Sequence, residues 1–480
     1  MPFARILRSS ALMGGAQAVT LAMAFLRSKL IAVLIGPSGI GLMGVFNAFN
    51  ANLSTVAGWG LGTSAVRTIA GAAEGEHAQK TAAVRVLGRR LAWGGIAAVL
   101  ILIVPAGQLT FESQRYSVEL LIAGLAVPCV VATAMWTSLL QAGGHIGSMA
   151  RSQALSSVIG LLIGLPFIWL FGSIGIALSI LIAALATALV TWRAACRFCP
   201  DSGAVPTRAD LRELMQFGLI MQLGGVLGAI AAYLIRVLIL RSHGDDLAAG
   251  LADAGYYQAA SAVTGSLPGV IFSASSSDFY PRVAAAKDEE EARLITEKQV
   301  QASLLLALPI LMGLLTMGPL AVRLLYAQGF EPAVPLLDWF VWAIFLNLLG
   351  WPLGFWVAAR RSKRTVAFFQ GLFSVVILLL ALAFVPLWGV KGAAIANLFC
   401  SLAYTLILVG LVRRASGKWI SFQTIGWMST AAAALFAARA FVDFAGFGYW
   451  GLLPTALTAA ACGLIYFKVT AKAKAEEAHS

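Results

Sequence analysis

Carboxylates are scarce in this chain, and scarcest where it is most apolar. The 21 Asp and Glu are outnumbered by 34 Lys and Arg, and no long apolar run has an Asp or Glu near its centre. A proton-coupled exporter of cationic drugs needs such a group in its cavity, as counter-ion and as proton relay, so the shortage argues against that class. Histidine is rarer still, with four residues. The five cysteines, Cys129, Cys196, Cys199, Cys400 and Cys462, lie mostly inside apolar segments. No loop holds the paired spacing of a secreted disulfide framework, so free thiols are expected. Cys196-Arg-Phe-Cys199 has the gap of a metal-binding pair, yet no neighbouring spacing supplies the two further ligands zinc takes, so neither a metal nor a cofactor is expected. Long polar loops are missing too. A membrane enzyme would need one to gather acid, base or metal ligands, and the loops here are short and basic. Their cations are spread along the chain rather than collected on one domain, which removes nucleic acid as a partner.

What is abundant is apolar sequence: 60% of residues are hydrophobic and 11% charged, with a mean hydropathy of +0.85. Apolar runs of about 20 residues, enough to cross a bilayer as helix, recur from end to end. The fold class that follows is an all-α polytopic membrane protein. Between polar or Gly/Pro breaks the spans fall at 9–35, 39–66, 91–110, 117–141, 147–171 and 173–193, then at 212–240, 251–280, 300–323, 334–359, 365–387 and 390–412, with a further pair at 422–442 and 447–467. That makes fourteen transmembrane helices. Ala16-Gln17-Ala18 superficially matches a signal-peptidase site, but too few apolar residues precede it for a signal peptide, so the first span is expected to remain as an uncleaved anchor.

Positive charge tests this count, because a missed span would invert every later loop. With the N-terminus cytoplasmic, Arg85 to Arg90, Arg193 with Arg197, Arg360 to Arg364, and Arg413-Arg414 all fall on the cytoplasmic side. Outer turns such as Gly36-Pro37-Ser38 and Phe171-Gly172-Ser173 carry no cation. Both termini are thus expected in the cytosol. The stretch from His77 to Arg90 reads as an amphipathic basic segment lying on the anionic cytoplasmic leaflet, with a further use as a docking place for a polymerase or ligase.

The two halves repeat. In one ungapped register Gln153, Leu155, Ser157 and Val158 recur as Gln370, Leu372, Ser374 and Val375, and Gly172, Gly175 and Ala177 as Gly389, Gly392 and Ala394. A cation-bearing helix followed by a Gly-x-x-amide-Ala entry also recurs, as Arg27 with Gly44-Val-Phe-Asn47-Ala48 and as Arg236 with Gly255-Tyr-Tyr-Gln258-Ala259. Six spans separate the copies, so both have the same orientation. The expected organisation is an N-terminal lobe over 1–205, a parallel C-terminal six-helix lobe over 206–415, and an extra helix pair with a basic tail over 416–480. Such repeats place a substrate path between the lobes.

The run Arg27-Ser-Lys29 through Gly36-Pro37-Ser-Gly39-Ile-Gly41-Leu-Met-Gly44 into an Asn-rich helix, together with Asp278-Phe-Tyr-Pro281-Arg282 closing the eighth span, resembles the Wzx-type lipid-linked oligosaccharide flippases of the multidrug/oligosaccharidyl-lipid/polysaccharide exporter superfamily. The resemblance covers essentially the whole chain. It implies a multi-pass protein of the bacterial inner membrane that moves an undecaprenyl-pyrophosphate-linked sugar unit from the cytoplasmic to the periplasmic leaflet for O-antigen or related polysaccharide assembly. Its partners would be that lipid-linked substrate, the bilayer, and the polymerase or ligase machinery. The rival readings are a cation-coupled multidrug exporter of the same superfamily and a flippase for a peptidoglycan precursor.

Arg27 is the residue that most needs explaining. It lies about 13 Å inside the Gly36-Pro37 turn, where a charge facing lipid costs roughly 2.5 to 3.5 kcal/mol and so normally faces a cavity or a partner. Gln17, Thr20 and Arg27 fall within about 80° on the helix, making a polar stripe, whereas Lys29 is about 160° from Arg27. One of the two cations is expected to line the cavity and the other to snorkel or pair. Arg236 is either a second cavity cation or a snorkelling one. Arg67 and Arg282 stand at cytoplasmic helix ends, where topology alone accounts for them and where an incoming pyrophosphate could meet them. Gln17, Asn47, Asn50 and Gln258 are the candidates for sugar hydroxyls, and Asp278 the candidate for ion coupling, although its spacing with Arg282 equally suits a local pair, as Arg439 with Asp443 does. Pro128, Pro268, Pro309 and Pro352 are candidate kink sites.

Overall fold

Inside a bilayer every unpaired backbone amide costs several kcal/mol, so runs this apolar satisfy their own hydrogen bonds as helices. The computed structural model describes residues 2–72, 76–111, 115–199, 203–418, 420–445 and 454–463, without side chains at 2–11, 220, 221, 223, 267, 268, 270–278, 281 and 363. Among these residues there is no strand. The helices are α1 (Pro2–Leu34), α2 (Pro37–Gly58), α3 (Leu61–Ala70), α4 (His77–Phe111), α5 (Ser117–Gly124), α6 (Ala126–Ala142), α7 (Ile146–Phe198), α8 (Arg208–Arg241), α9 (Leu247–Ala285), α10 (Glu289–Leu325), α11 (Val334–Arg360), α12 (Lys363–Ser416) and α13 (Phe422–Ala445), with a 3-10 turn at Glu331–Ala333. Residues 454–463 are helical as well. Nine described helices are long and apolar enough to cross a membrane. The chain is a multi-pass helical membrane protein.

Two expected pairs of spans run on as single long elements, each broken at one glycine. Gly172 in α7 has φ 54° and ψ −118°, and Gly389 in α12 has φ 56° and ψ −138°. These are the two glycines the sequence repeat aligns. A Cβ at either would meet nothing within 4 Å, so the positive φ, not crowding, is what calls for glycine there. The second expected span is also divided, into α2 and α3, where Trp59 and Gly60 take positive φ. In α10 helical geometry is lost at Met317, in the turn before Pro319, whose ring displaces the carbonyl four residues back; Pro309 does not mark a break.

The segment from His77 to Arg90 corrects an expectation. It forms the opening turns of the continuous helix α4, and its Ala83, Val84 and Leu87 are buried in a core with Leu61 and Ala65 of α3, Met135 and Leu139 of α6, and Leu214 of α8. Small and aliphatic residues between the cations give it a face for protein, not lipid.

The chain forms two compact units. The first comprises Met1–Gln258 with Ala367–Val390, and the second Ala259–Val366 with Lys391–Ser480. Lipid tails are as apolar as leucine, so helices in a membrane associate by close packing at small residues. In the first unit this is carried furthest where α2 crosses α9: a Cβ on Gly41 would lie 1.9 Å from the Leu251 carbonyl oxygen, and one on Gly255 would lie 2.1 Å from that of Pro37. In the second unit α13 is tied to α10 by polar groups. Buried Glu297 pairs with Arg293 and accepts hydrogen bonds from the Ser421 amide at 3.1 Å and the Thr424 hydroxyl at 3.0 Å. Farther along α13, Arg439 pairs with Asp338 of α11 and with Asp443, each at 3.0 Å.

Candidate functional site

The two halves of α7 fold back on each other at small residues. A Cβ on Gly160 would lie 3.0 Å from Ala183, and one on Gly164 would lie 3.1 Å from the Ser179 side chain. Helix α1 lies against this hairpin, and between them is a cavity of about 300 Å³ lined by Thr20, Arg27, Gln153, Ser157 and Thr187, among others. Arg27 Nη2 donates a 2.9 Å hydrogen bond to Ser179 Oγ. Its Nε is enclosed and has no hydrogen-bond partner among the described residues. Among the described residues no Asp or Glu lines the cavity. A guanidinium cannot shed its charge in a protein, so the arrangement holds one fixed positive charge against a pocket that is mostly apolar and carries a few hydroxyls and one amide.

The polar stripe on α1 is thus divided: Thr20 and Arg27 line the cavity, whereas Gln17 is exposed and does not. Lys29 is half-buried and does not line it either. On α2, Asn47 is exposed, and Asn50 is 7% exposed with neither atom of its amide hydrogen-bonded.

Arg236 stands elsewhere in the same unit. Its Nη1 donates to the Ala232 carbonyl and its Nη2 to Gln258 Oε1, each at 2.8 Å, and the guanidinium carbon is 5.7 Å from the Tyr257 ring centre. Two residues expected to meet substrate therefore meet each other. Arg67 is exposed at the end of α3, stacked 4.1 Å over the Phe217 ring. Arg282 is exposed near the end of α9. The side chain of Asp278 lies outside the described residues.

Where α4 and α8 begin, Lys80 pairs with Asp210 and Glu213, each at 2.9 Å. Asp210 also caps α8 reciprocally with Thr207. Hydrogen bonds from Thr207, and then from Lys80, hold the Asp210 carboxyl down at about 2. The cysteines are free, and no cluster of metal-binding side chains occurs among the described residues.

The residues missed from sequence are Ser179, Gln153, Ser157 and Thr187. Gln153 and Ser157 had stood out as members of the repeat, not as part of a site.

Residues 6–287, more than half of the chain, match the family profile described as polysaccharide biosynthesis protein. The chain belongs to that family. No curated protein matches this family member's sequence. Its fold is shared by solved structures. Lipid II flippase MurJ in an inward closed conformation is 13% identical, with a TM-score of 0.75 over 96% of this chain and 99% of that one. A multidrug resistance MATE family transporter of the MOP superfamily, in an inward-facing conformation, is 16% identical, with a TM-score of 0.62 over 83% and 96%. A MOP superfamily transporter from Pyrococcus furiosus, described as having a binding pocket of reverse polarity, is 17% identical, with a TM-score of 0.55 over 85% and 96%. The polysaccharide biosynthesis family member thus shares its fold with solved membrane transporters and flippases.

Proposed function

We propose that this protein flips an undecaprenyl-pyrophosphate-linked oligosaccharide from the cytoplasmic to the periplasmic leaflet of the bacterial inner membrane, for O-antigen or related polysaccharide assembly. The observation that carries the reading is Arg27: a permanent cation well inside the span, its Nε unpartnered among the described residues, facing a pocket whose described lining holds hydroxyls and an amide but no carboxylate. That polarity suits a pyrophosphate and opposes a cationic drug. The family description supports the saccharide part of the substrate. In this mechanism two parallel six-helix lobes rock about the substrate path, Arg27 holds the pyrophosphate midway, and the lipid tail stays between helices. Both termini are cytoplasmic, so moving the negative head outward runs with an inside-negative potential, worth roughly 2.3 kcal/mol per charge per 100 mV.

Reconstitution in vesicles tests this. Flipping of a lipid-linked saccharide is expected to quicken with an imposed inside-negative potential and to fall at least tenfold in Arg27→Ala. Flipping that ignores the potential and survives the substitution would sink the proposal. A second reading is supported by the 0.75 TM-score with lipid II flippase MurJ: a peptidoglycan-precursor substrate, with the same demand for an anion site. Offering the two lipids side by side to the same vesicles separates the readings, because only the true substrate competes the other out.

A further inference from the structure

The cavity between α1 and α7 has a donor and acceptor pattern more specific than its charge. Four hydroxyls on its lining are committed to their own helices: Thr20 donates to the Ala16 carbonyl at 2.9 Å, Ser156 to Gln153 at 3.1 Å, Ser157 to Ala154 at 2.8 Å and Thr187 to Ala183 at 2.8 Å. A hydroxyl whose proton is spent in this way offers only oxygen lone pairs to a ligand. Ser179 shows the same arrangement already in use, donating to the Ile176 carbonyl while accepting from Arg27. Gln153, whose side-chain amide makes no hydrogen bond among the described residues, adds one acceptor and two donors. The lining is mostly apolar, and its polar atoms present several acceptors around one fixed cation.

A simple anion is a poor match. Sulfate or chloride would bring acceptors to acceptors, paired only at Arg27 and Gln153, and inorganic phosphate at neutral pH has just one or two O–H donors to set against the several hydroxyl oxygens. A neutral sugar would donate to the hydroxyl oxygens and leave the guanidinium without a counter-charge. A lipophilic cation would satisfy neither. The matching ligand carries many O–H donors and one negative group. We propose that this cavity is a subsite for an anionic saccharide, with the sugar hydroxyls donating to Thr20, Ser157 and Thr187 and bridging to Gln153, and the phosphate or carboxylate on Arg27. Its volume, about 300 Å³, lies at the small end of ligand pockets and suits one ring with its charged substituent rather than an oligosaccharide. The inference rests on the flippase reading only in choosing a glycosyl phosphate as the natural occupant. It adds that the transporter reads the sugar next to the phosphate.

The test is equilibrium binding to the purified full-length protein in detergent, by calorimetry and by ligand-induced shift of Tm, with glucose 1-phosphate, glucuronate, inorganic phosphate and methyl glucoside as probes. Glucose 1-phosphate is expected to bind at least tenfold tighter than inorganic phosphate or methyl glucoside. Binding of glucuronate in its place supports the same site and assigns it to a sugar carboxylate. Gln153→Leu and the near-isosteric Thr187→Val are each expected to weaken that binding about tenfold while leaving the ligand-free Tm unchanged. Should Gln153→Leu misfold, Thr187→Val decides alone. Equal binding of inorganic phosphate and glucose 1-phosphate, or wild-type affinity in both variants, would overturn the subsite. The vesicle assay keeps the two proposals apart. Saccharide-selective binding that needs Gln153, in a protein that flips no lipid-linked saccharide, leaves the subsite standing and removes the flippase reading. Wild-type flipping and binding in both variants does the reverse.

Discussion

Arg236 on α8 donates to Gln258 on α9 at 2.8 Å, and the second nitrogen of the same guanidinium holds the Ala232 carbonyl. The cation is thereby spent on joining two helices. Arg236→Ala leaves the Gln258 amide without its charged donor, at a cost of about 1.5 to 3 kcal/mol. The expected outcome is a clear drop in the Tm of the detergent-solubilised protein. Arg27→Ala, by contrast, should leave Tm nearly unchanged while flipping collapses. The opposite assignment, with Arg236→Ala stable but inactive, would make Arg236 the substrate cation.

The α2 and α9 backbones touch at Gly41 and Gly255. A side chain there cannot be absorbed by a rotamer change, because what it meets is carbonyl and amide. Gly41→Leu is expected to force the helices apart and to abolish transport even where membrane insertion is normal. A cysteine pair placed on the two helices near this crossing should crosslink in the parent background and fail to crosslink in Gly41→Leu.

Asp210 gives a pH dependence with a definite sign. Its folded-state value of about 2 lies below the ordinary carboxylate value of 3.8, so it stabilises the fold above about pH 4. That contribution is lost as the pH falls from about 4 towards 2. Thermal unfolding of the parent should therefore steepen across that window. Asp210→Asn should start from a lower Tm at neutral pH and lose less of it on acidification. Identical slopes would mean that the Lys80 and Thr207 contacts do not hold in solution.

Buried Glu297 joins α10 to the start of α13 through Ser421 and Thr424. Glu297→Ala leaves Arg293 with Glu290 as its other carboxylate and removes every contact Glu297 makes to α13. Breaking a buried pair in this way typically costs 3 to 5 kcal/mol, and the shared partner puts the expected loss near the lower end, about 3 kcal/mol. Limited proteolysis is the local readout: cleavage between α12 and α13 should accelerate in the variant well before global unfolding.

What the sequence disclosed and what it hid follow from the range of the interactions involved. Gly172 and Gly389 were legible because a repeated glycine in the gap between two apolar runs is a local signal. Arg27 was legible because its burial is costly wherever its neighbours lie. Gln153, Ser157 and Thr187 were not, since hydroxyls and amides in membrane helices normally bond within their own helix, and periodicity does not say which helix lies opposite. The tie between Arg236 and Gln258 was hidden for the same reason: both were visible as polar residues, but their pairing depends on how α8 meets α9. The opening turns of α4 misled because Lys80, Arg85, Arg89 and Arg90 imitate a lipid-surface helix, while the burial of Ala83, Val84 and Leu87 depends on α3, α6 and α8.

The repeated segments at 153–158 and 370–375 pack differently. Gln153 and Gln370 are the same residue of the repeated segment, yet Gln153 borders the cavity, while Gln370 lies so close over Gly224 of α8 that a Cβ there would come within 2.1 Å of its Oε1. The same amide packs against a backbone in one copy of the repeat and borders open space in the other. The glycine at 224 is what gives Gln370 its seat: enlarging it should evict that side chain, whereas the space beside Gln153 should admit a larger neighbour without displacing it.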